Sequence, residues 1–146
     1  MKSLNNFFVS YIQNKRFGIY YLPARYQYVI LRDYYNKHNQ IFNLPQGEPV
    51  FTNTNIKLRS LIKKMKMKNE LVVLSIYILP IDLKLRNELI NLLIKKKIKT
   101  HFIFENIIAK NKIHYTKIND IIKLNKLIKN ENNQILETLP NSKKKT

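Results

Sequence analysis

The 146-residue chain contains no cysteine. This absence excludes disulfide frameworks, thiolate nucleophiles and cysteine-ligated zinc, and it is compatible with a reducing compartment. The sequence also lacks an apolar run of membrane-spanning length, because its most hydrophobic stretch covers only residues 71–79. No signal-peptide-like run follows the N-terminus. We therefore expect a cytoplasmic protein without a membrane span.

Acidic residues are scarce. Nine of them stand against 27 basic residues, and the formal net charge is +18. Such a charge is typical of proteins that neutralise nucleic-acid phosphates. However, 22 of the basic residues are lysine, and lysine, isoleucine and asparagine are all abundant, as an AT-rich genome produces whatever the function. Nucleic-acid binding through lysines is thus the alternative hypothesis, and a solvated lysine surface is the simpler explanation of the charge.

The histidines follow no metal-binding pattern. His38, His101 and His114 are widely separated and form no motif such as His-Glu-x-x-His. No metal site and no cofactor are expected. His101 stands at the start of a predicted strand, where a partly buried structural histidine is the favoured interpretation.

Apolar patterning alternates between strand and helix periods. Strands are predicted at residues 7–13, 41–44, 71–79 and 100–105, and helices at residues 24–38, after a cap at Thr54 or Asn55, after a cap at Asp82, and at residues 116–129. The alternation predicts an α/β fold with a mostly parallel sheet of four to five strands flanked by helices. The length predicts one domain, residues 1–130, followed by a polar, lysine-rich tail, residues 131–146.

Polar residues cluster where the predicted strands end. Gln13, Ser75 and Glu105 lie at or near the carboxyl ends of three strands, which share one edge in a parallel sheet. Loop residues Arg16 and Glu48 should open on the same edge. Together they predict a polar cleft for a sugar or a nucleotide sugar, although ordinary loop polarity would give the same pattern. The full candidate set is Gln13, Arg16, Arg32, Glu48, Ser75 and Glu105.

The first predicted helix carries several tyrosines. Tyr26, Val29 and Tyr34 fall at helical spacing and are expected to face the core, with Ile30 among them. The tyrosines at other positions of the helix, such as Tyr28 and Tyr35, are expected on its surface. That surface predicts a homodimer contact.

The order of elements resembles the catalytic domain of serine recombinases. Residues 11–15 (Tyr-Ile-Gln-Asn-Lys) match the position of the family's first motif, Gln27 lies near its helix glutamine, and residues 75–81 match its second motif. Residues 101–105 (His-Phe-Ile-Phe-Glu) match its last strand. The resemblance implies a resolvase-like α/β fold.

The catalytic residues of that family are replaced here. Lys15 stands in the place of the nucleophilic serine, Gln13 in that of the neighbouring arginine, and Ile78 and Ile81 in those of two later arginines. Phosphodiester cleavage by serine needs a hydroxyl and cations around the developing charge. We therefore expect no recombinase activity, and a degenerate recombinase that contacts DNA belongs to the nucleic-acid alternative.

A closer resemblance covers residues 11–127. The sequence is similar to a sporadically distributed bacterial family found in surface-carbohydrate biosynthesis clusters. The matching elements are Tyr11-Ile12, Phe17-Gly18, the spacing from Leu22-Pro23 to Gln27, Leu31-Arg32-Asp33-Tyr34, Glu48, Ser75, Leu79-Pro80, Arg86, and His101-Phe102 with Glu105. This resemblance implies an accessory ligand-binding protein, or an enzyme of unknown reaction, in polysaccharide biosynthesis.

Overall fold

Strands and helices alternate along the chain, and the α/β class predicted from the sequence is confirmed. The protein is described by a computed structural model over residues 7–47 and 55–138. The elements are β1 (Phe8–Ile12), α1 (Ala24–Lys37), β2 (Gln46–Gly47), α2 (Ile56–Lys64), β3 (Glu70–Val73), α3 (Leu83–Lys95), β4 (Lys99–Phe102), β5 (Ile107–Ala109) and α4 (Lys112–Thr138), with a 3-10 helix (Ile76–Ile78) between β3 and α3.

The five strands form one sheet in the order β2-β1-β3-β4-β5. The first four are parallel, and β5 pairs antiparallel with β4. Leu71, Val72 and Val73 of β3 are all buried, because helices cover both faces at the centre of the sheet. The carboxyl ends of β1, β3 and β4 consequently lie side by side at one edge.

The second and third helices each bury one apolar face in the core. Leu58 and Ile62 of α2 and Leu89 and Leu93 of α3 are buried in the core. The predicted cap of α3 is confirmed, because Oδ2 of Asp82 accepts a hydrogen bond from the Leu85 N–H at 3.1 Å.

The buried face of α1 differs from the predicted one. Gln27, Leu31 and Tyr35 are wholly buried, whereas Tyr26 and Val29 are exposed. The amide nitrogen of Gln27 donates hydrogen bonds to two backbone carbonyls, which compensate that nitrogen for its loss of water, while Oε1 is buried without a partner among the described residues. Since Tyr35 belongs to the core, it does not contribute to the dimer surface predicted on this helix.

Three predicted strands are wrong in their bounds. The last of them ends at Phe102 and not at residue 105. The second strand is not residues 41–44 but Gln46–Gly47, which pairs with Tyr11 and Ile12 at the end of β1. The third strand ends at Val73 and not at residue 79. Beyond it, hydrogen bonds from the backbone to Ser75 and Glu105 turn the chain into the 3-10 helix.

The C-terminal part also departs from prediction. Four to five strands were predicted, but strand β5 was not located in the sequence, because its three residues are too few to form a pattern of their own. Helix α4 extends beyond the predicted residues 116–129 at both ends, so residues 131–138 of the predicted tail are helical. Residues 139–146 lie outside the described part of the chain, as does the predicted cap Thr54.

Candidate functional site at the carboxyl edge of the sheet

Three chain segments leave the sheet at its carboxyl edge, after β1, β3 and β4. The parallel order of these strands brings Gln13, Ser75 and Glu105 to this one edge, as the sequence predicts. Hydrogen bonds join all three residues to the 3-10 helix. The predicted convergence of these residues is therefore present in the structure.

Ser75 and Glu105 form a direct pair. The Ser75 hydroxyl donates to Oε1 of Glu105 at 2.6 Å, and the Ile76 N–H donates to the same oxygen at 2.8 Å. Oγ of Ser75 accepts a hydrogen bond from the Tyr77 N–H at 3.2 Å, which caps the 3-10 helix. Ser75 is wholly buried, so its hydroxyl orders the loop beneath the edge and does not reach a ligand. Oε2 of Glu105 is buried and has no hydrogen-bond partner among the described residues.

Two glutamines hold the segment between β1 and α1 in place. The Gln13 amide donates to the Ile78 carbonyl at 3.2 Å. The buried Gln27 amide donates to the carbonyls of Gln13 and Leu22, both at 2.7 Å. Gln27 was not among the predicted site residues, and only its resemblance to the helix glutamine of serine recombinases marked it. These bonds fix the segment between β1 and α1 at both of its ends.

That segment folds back on itself in a tight turn. The backbones of Phe17 and Tyr20 exchange two hydrogen bonds of 3.0 Å, and Gly18 between them has a φ of +62°. A Cβ at Gly18 would lie 2.7 Å from Cγ of Tyr77, so only glycine allows the turn to approach the tyrosine ring this closely. The Phe17-Gly18 pair is thus explained by packing against the 3-10 helix.

Aromatic side chains surround the Ser75–Glu105 pair. The rings of Tyr20 and Phe104 are 4.9 Å apart, and the Tyr77 hydroxyl accepts a hydrogen bond from Asn125 of α4. Burial raises the pKa of Tyr77, and the nearby Glu105 carboxylate and Tyr20 raise it further. Tyr77 is therefore a neutral hydrogen-bonding group at physiological pH.

An open groove lies beside these aromatic residues. It has a volume of about 610 Å³, and its lining combines the turn after β1 with the middle of α1 and the turn after β4. The lining residues are Ile19, Tyr20, Tyr21, Leu22, Ile30 and Phe104. An apolar and aromatic wall next to a few polar groups is the usual composition of a small-molecule site.

The remaining predicted site residues lie elsewhere. Arg16 is exposed in the segment between β1 and α1, close to the groove in sequence. Arg32 is exposed on α1, and its guanidinium lies over the Phe42 ring at 5.2 Å, so it is not part of the carboxyl-edge cluster. The neighbouring Asp33 pairs with Lys37 at 2.9 Å. Glu48 lies outside the described residues.

A second polar cluster lies on the side of the sheet covered by α1. His101 is buried, with Nε2 at 3.0 Å from Oε1 of Glu70 and Nδ1 at 2.6 Å from the Tyr34 hydroxyl. The His38 ring stacks near Tyr34, with ring centres 4.2 Å apart. Burial lowers the pKa of His101, and the hydrogen bond with Glu70 opposes that effect. The predicted structural role of His101 agrees with these contacts.

No protein-family model and no curated protein matches the chain. The two resemblances therefore rest on the residues that carry them. Of those residues, the structure joins Gln27, Ser75 and Glu105 in or near the carboxyl-edge cluster. It separates Arg32 from that cluster.

Within residues 7–47 and 55–138, no group of three histidine, aspartate or glutamate side chains is placed to hold a metal ion. No helix in the same ranges combines the length and the apolar character needed to cross a membrane. The carboxyl-edge groove, which combines an aromatic wall with the neighbouring Ser75–Glu105 cluster, is the candidate functional site.

Proposed function

We propose that the protein is a cytoplasmic, non-recombinogenic protein with a resolvase-like fold that binds a sugar or a nucleotide sugar in bacterial surface-carbohydrate biosynthesis. The ligand lies in the groove at the carboxyl edge of the sheet. Its role is that of an accessory binding protein or of an enzyme whose reaction is unknown. A homodimer and a nucleic acid are the other partners predicted from the sequence.

The observation that carries this proposal is the aromatic groove beside a hydrogen-bonded carboxylate. Tyr20 and Phe104 offer ring faces to the C–H faces of a sugar or to a nucleobase, a use for which aromatic side chains are well suited. Oε2 of Glu105 is a buried acceptor without a partner among the described residues, and a water molecule that bridges it to the ligand would satisfy it. Ligands of parallel α/β sheets generally bind beyond the carboxyl ends of the strands.

Recombinase chemistry lacks support at the matched positions. Ile78 is wholly buried, and Ile81 is exposed but apolar, so neither replaces an arginine at a reacting phosphate. Ser75 lies in the carboxyl-edge cluster, and its hydroxyl is buried and donates to Glu105. A serine nucleophile needs access to its substrate and a base that is free to take its proton.

Ligand titrations of the full chain test the proposal. We expect at least one member of a panel of nucleotide sugars and free sugars, including UDP-glucose, GDP-mannose and glucose, to bind in isothermal titration calorimetry. Phe104→Ala should weaken that binding about tenfold, because it removes one aromatic wall of the groove.

The control is Tyr26→Ala, which removes an exposed aromatic ring that does not line the groove. This variant should bind like the wild type. Equal losses in both variants, or no binding by any member of the panel, would refute the proposed site.

A further inference from the structure

The turn after β1 and the adjacent part of α1 expose several apolar side chains. Ile19 is 74% exposed, Tyr21 65% and Val29 64%. Ile19 and Tyr21 line the same groove as Ile30, and Tyr26 of the same helix lies four residues before Ile30 and three before Val29, so helical spacing places these side chains on one side of the molecule. We call the surface formed by Ile19, Tyr21, Tyr26 and Val29 the apolar tip. Exposed apolar surface of this kind usually marks an interaction site.

Positive charge flanks the apolar tip. Arg16 precedes the turn, and Arg25 lies in the first turn of α1, where its guanidinium sits 4.8 Å from the centre of the Tyr26 ring. The sequence contains no acidic residue before Asp33. Asp33 itself pairs with Lys37, and Glu105, next to the groove, is engaged by Ser75. Within residues 7–47 and 55–138, the tip therefore combines aliphatic and aromatic side chains with two arginines that form no salt bridge.

We propose that the apolar tip docks the protein peripherally on an anionic lipid bilayer. Tyrosine and arginine both favour the boundary between headgroups and acyl chains, where an apolar body and a polar end are accommodated together. Ile19, in the middle of the turn, enters the boundary between the headgroups and the acyl chains, while Arg16 and Arg25 contact anionic headgroups. The net charge of +18 adds long-range attraction to such a surface.

A bilayer fits these residues better than a nucleic acid does. Phosphate backbones are contacted by cations and by hydrogen-bond donors, and an exposed isoleucine or valine contributes little to them. Ile19 and Val29 would lose contact with water on a nucleic acid without entering an apolar phase. In a bilayer, burial of the same side chains is itself the driving force.

Vesicle co-sedimentation of the full chain tests this inference. Vesicles of equal parts phosphatidylcholine and phosphatidylglycerol should bind the protein, and vesicles of phosphatidylcholine alone should bind it far more weakly. The double variant Ile19→Ser with Tyr21→Ser should reduce the partition coefficient about tenfold, because two apolar anchors are lost. Arg16→Gln with Arg25→Gln should also reduce it, and added salt should remove most of that difference.

The chain provides a matched control at the loop before β3. Met67 is 65% exposed and stands between Lys66 and Lys68, so it repeats the combination of an apolar residue with two cations at a different edge of the sheet. Met67→Ser, and Lys66→Gln with Lys68→Gln, should leave vesicle binding nearly unchanged. Circular dichroism should show that all variants keep the wild-type fold, since every substituted side chain is at least partly accessible.

Three results would overturn the inference. The first is an equal loss in the tip and control variants, which would indicate non-specific charge attraction. The second is equal binding to neutral and anionic vesicles. The third is binding of duplex DNA that shows the same dependence on Ile19, which would assign the tip to nucleic acid. The vesicle assay contains no sugar, and the calorimetric titration contains no lipid. The membrane inference and the proposed sugar site can therefore fail independently of each other.

Discussion

His101 illustrates how much a single buried polar residue depends on its partners. Its imidazole lies between the Tyr34 hydroxyl and the Glu70 carboxylate, on three different elements of the fold. The sequence predicts a buried histidine at this position but not its partners, because contacts between residues so distant along the chain follow from the packing of α1 on the sheet. Gln27 shows the same limit, since its burial depends on two carbonyls that only the folded loop brings together.

The environment of His101 leads to a pH dependence of stability. Burial lowers its pKa in the folded protein below the ordinary value of 6.5, with smaller contributions in the same direction from His38 and Lys99 and opposite ones from Glu70. The unfolded chain therefore binds the proton more tightly, and the free energy of unfolding falls as the pH drops below about 6.5 toward the folded pKa. The variant His101→Gln should show a shallower fall over this range in urea unfolding measured at a series of pH values.

The control for this measurement is His114→Gln. His114 accepts a hydrogen bond from the Lys110 N–H near the start of α4 and takes no part in the buried network. A change of slope that is larger in His101→Gln than in His114→Gln would assign the dependence to His101 and not to histidine replacement in general. A slope in His101→Gln that matches the wild-type slope would show that His101 does not cause the dependence.

Helix α2 is joined to α3 by one lysine. The Lys96 ammonium donates to the carbonyls of Ile62, Lys63 and Met65 at distances of 2.6–3.0 Å. These carbonyls lie at the C-terminal end of α2, where intrahelical partners are missing and the helix dipole is negative. A lysine that the sequence places on a solvated surface is thus a structural cap of another helix.

Replacement of Lys96 by methionine should lower the free energy of unfolding by about 1–2 kcal/mol, because three carbonyls lose a charged donor. The matched variant Lys95→Met removes the same charge from an exposed neighbour and should change stability by less than about 0.5 kcal/mol. Urea unfolding of the two variants gives the comparison. Similar losses of unfolding free energy in both variants would show that the hydrogen bonds of Lys96 contribute no stability beyond the effect of its charge.

At the level of whole elements, periodicity predicted α2, α3 and the central position of β3, because each has one clearly apolar face or is apolar throughout. It did not predict β2, since two residues paired at the end of β1 leave no pattern of their own. It also assigned Tyr26 and Val29 of α1 to the core, although both are exposed, whereas Ile30 and Tyr34 of the same predicted set do pack against the core. There, a polar residue with two backbone partners takes a buried position that hydrophobicity alone assigns to its neighbours.

At the level of the molecule, the convergence of Gln13, Ser75 and Glu105 was predictable, because parallel strands end at a common edge. The roles that these residues have at the edge were not predictable from the sequence. Ser75 is buried under the 3-10 helix, and the groove is lined by residues of the turn and of the β4 end that had no site assignment. The Gly18 turn that carries three of these lining residues packs against Tyr77, and no local pattern in the sequence encodes that contact.

The central claim is that a sugar or nucleotide sugar occupies the groove at the carboxyl edge. Amide NMR spectra of the ¹⁵N-labelled full chain, titrated with UDP-glucose and the other members of the panel, test it most directly. We predict that a binding member shifts the amide signals of Gly18, Tyr20, Tyr77, Phe104 and Glu105, while those of the distant loop around Met67 stay in place. Shifts concentrated on the exposed lysines of α4, or none with any member of the panel, would contradict the claim.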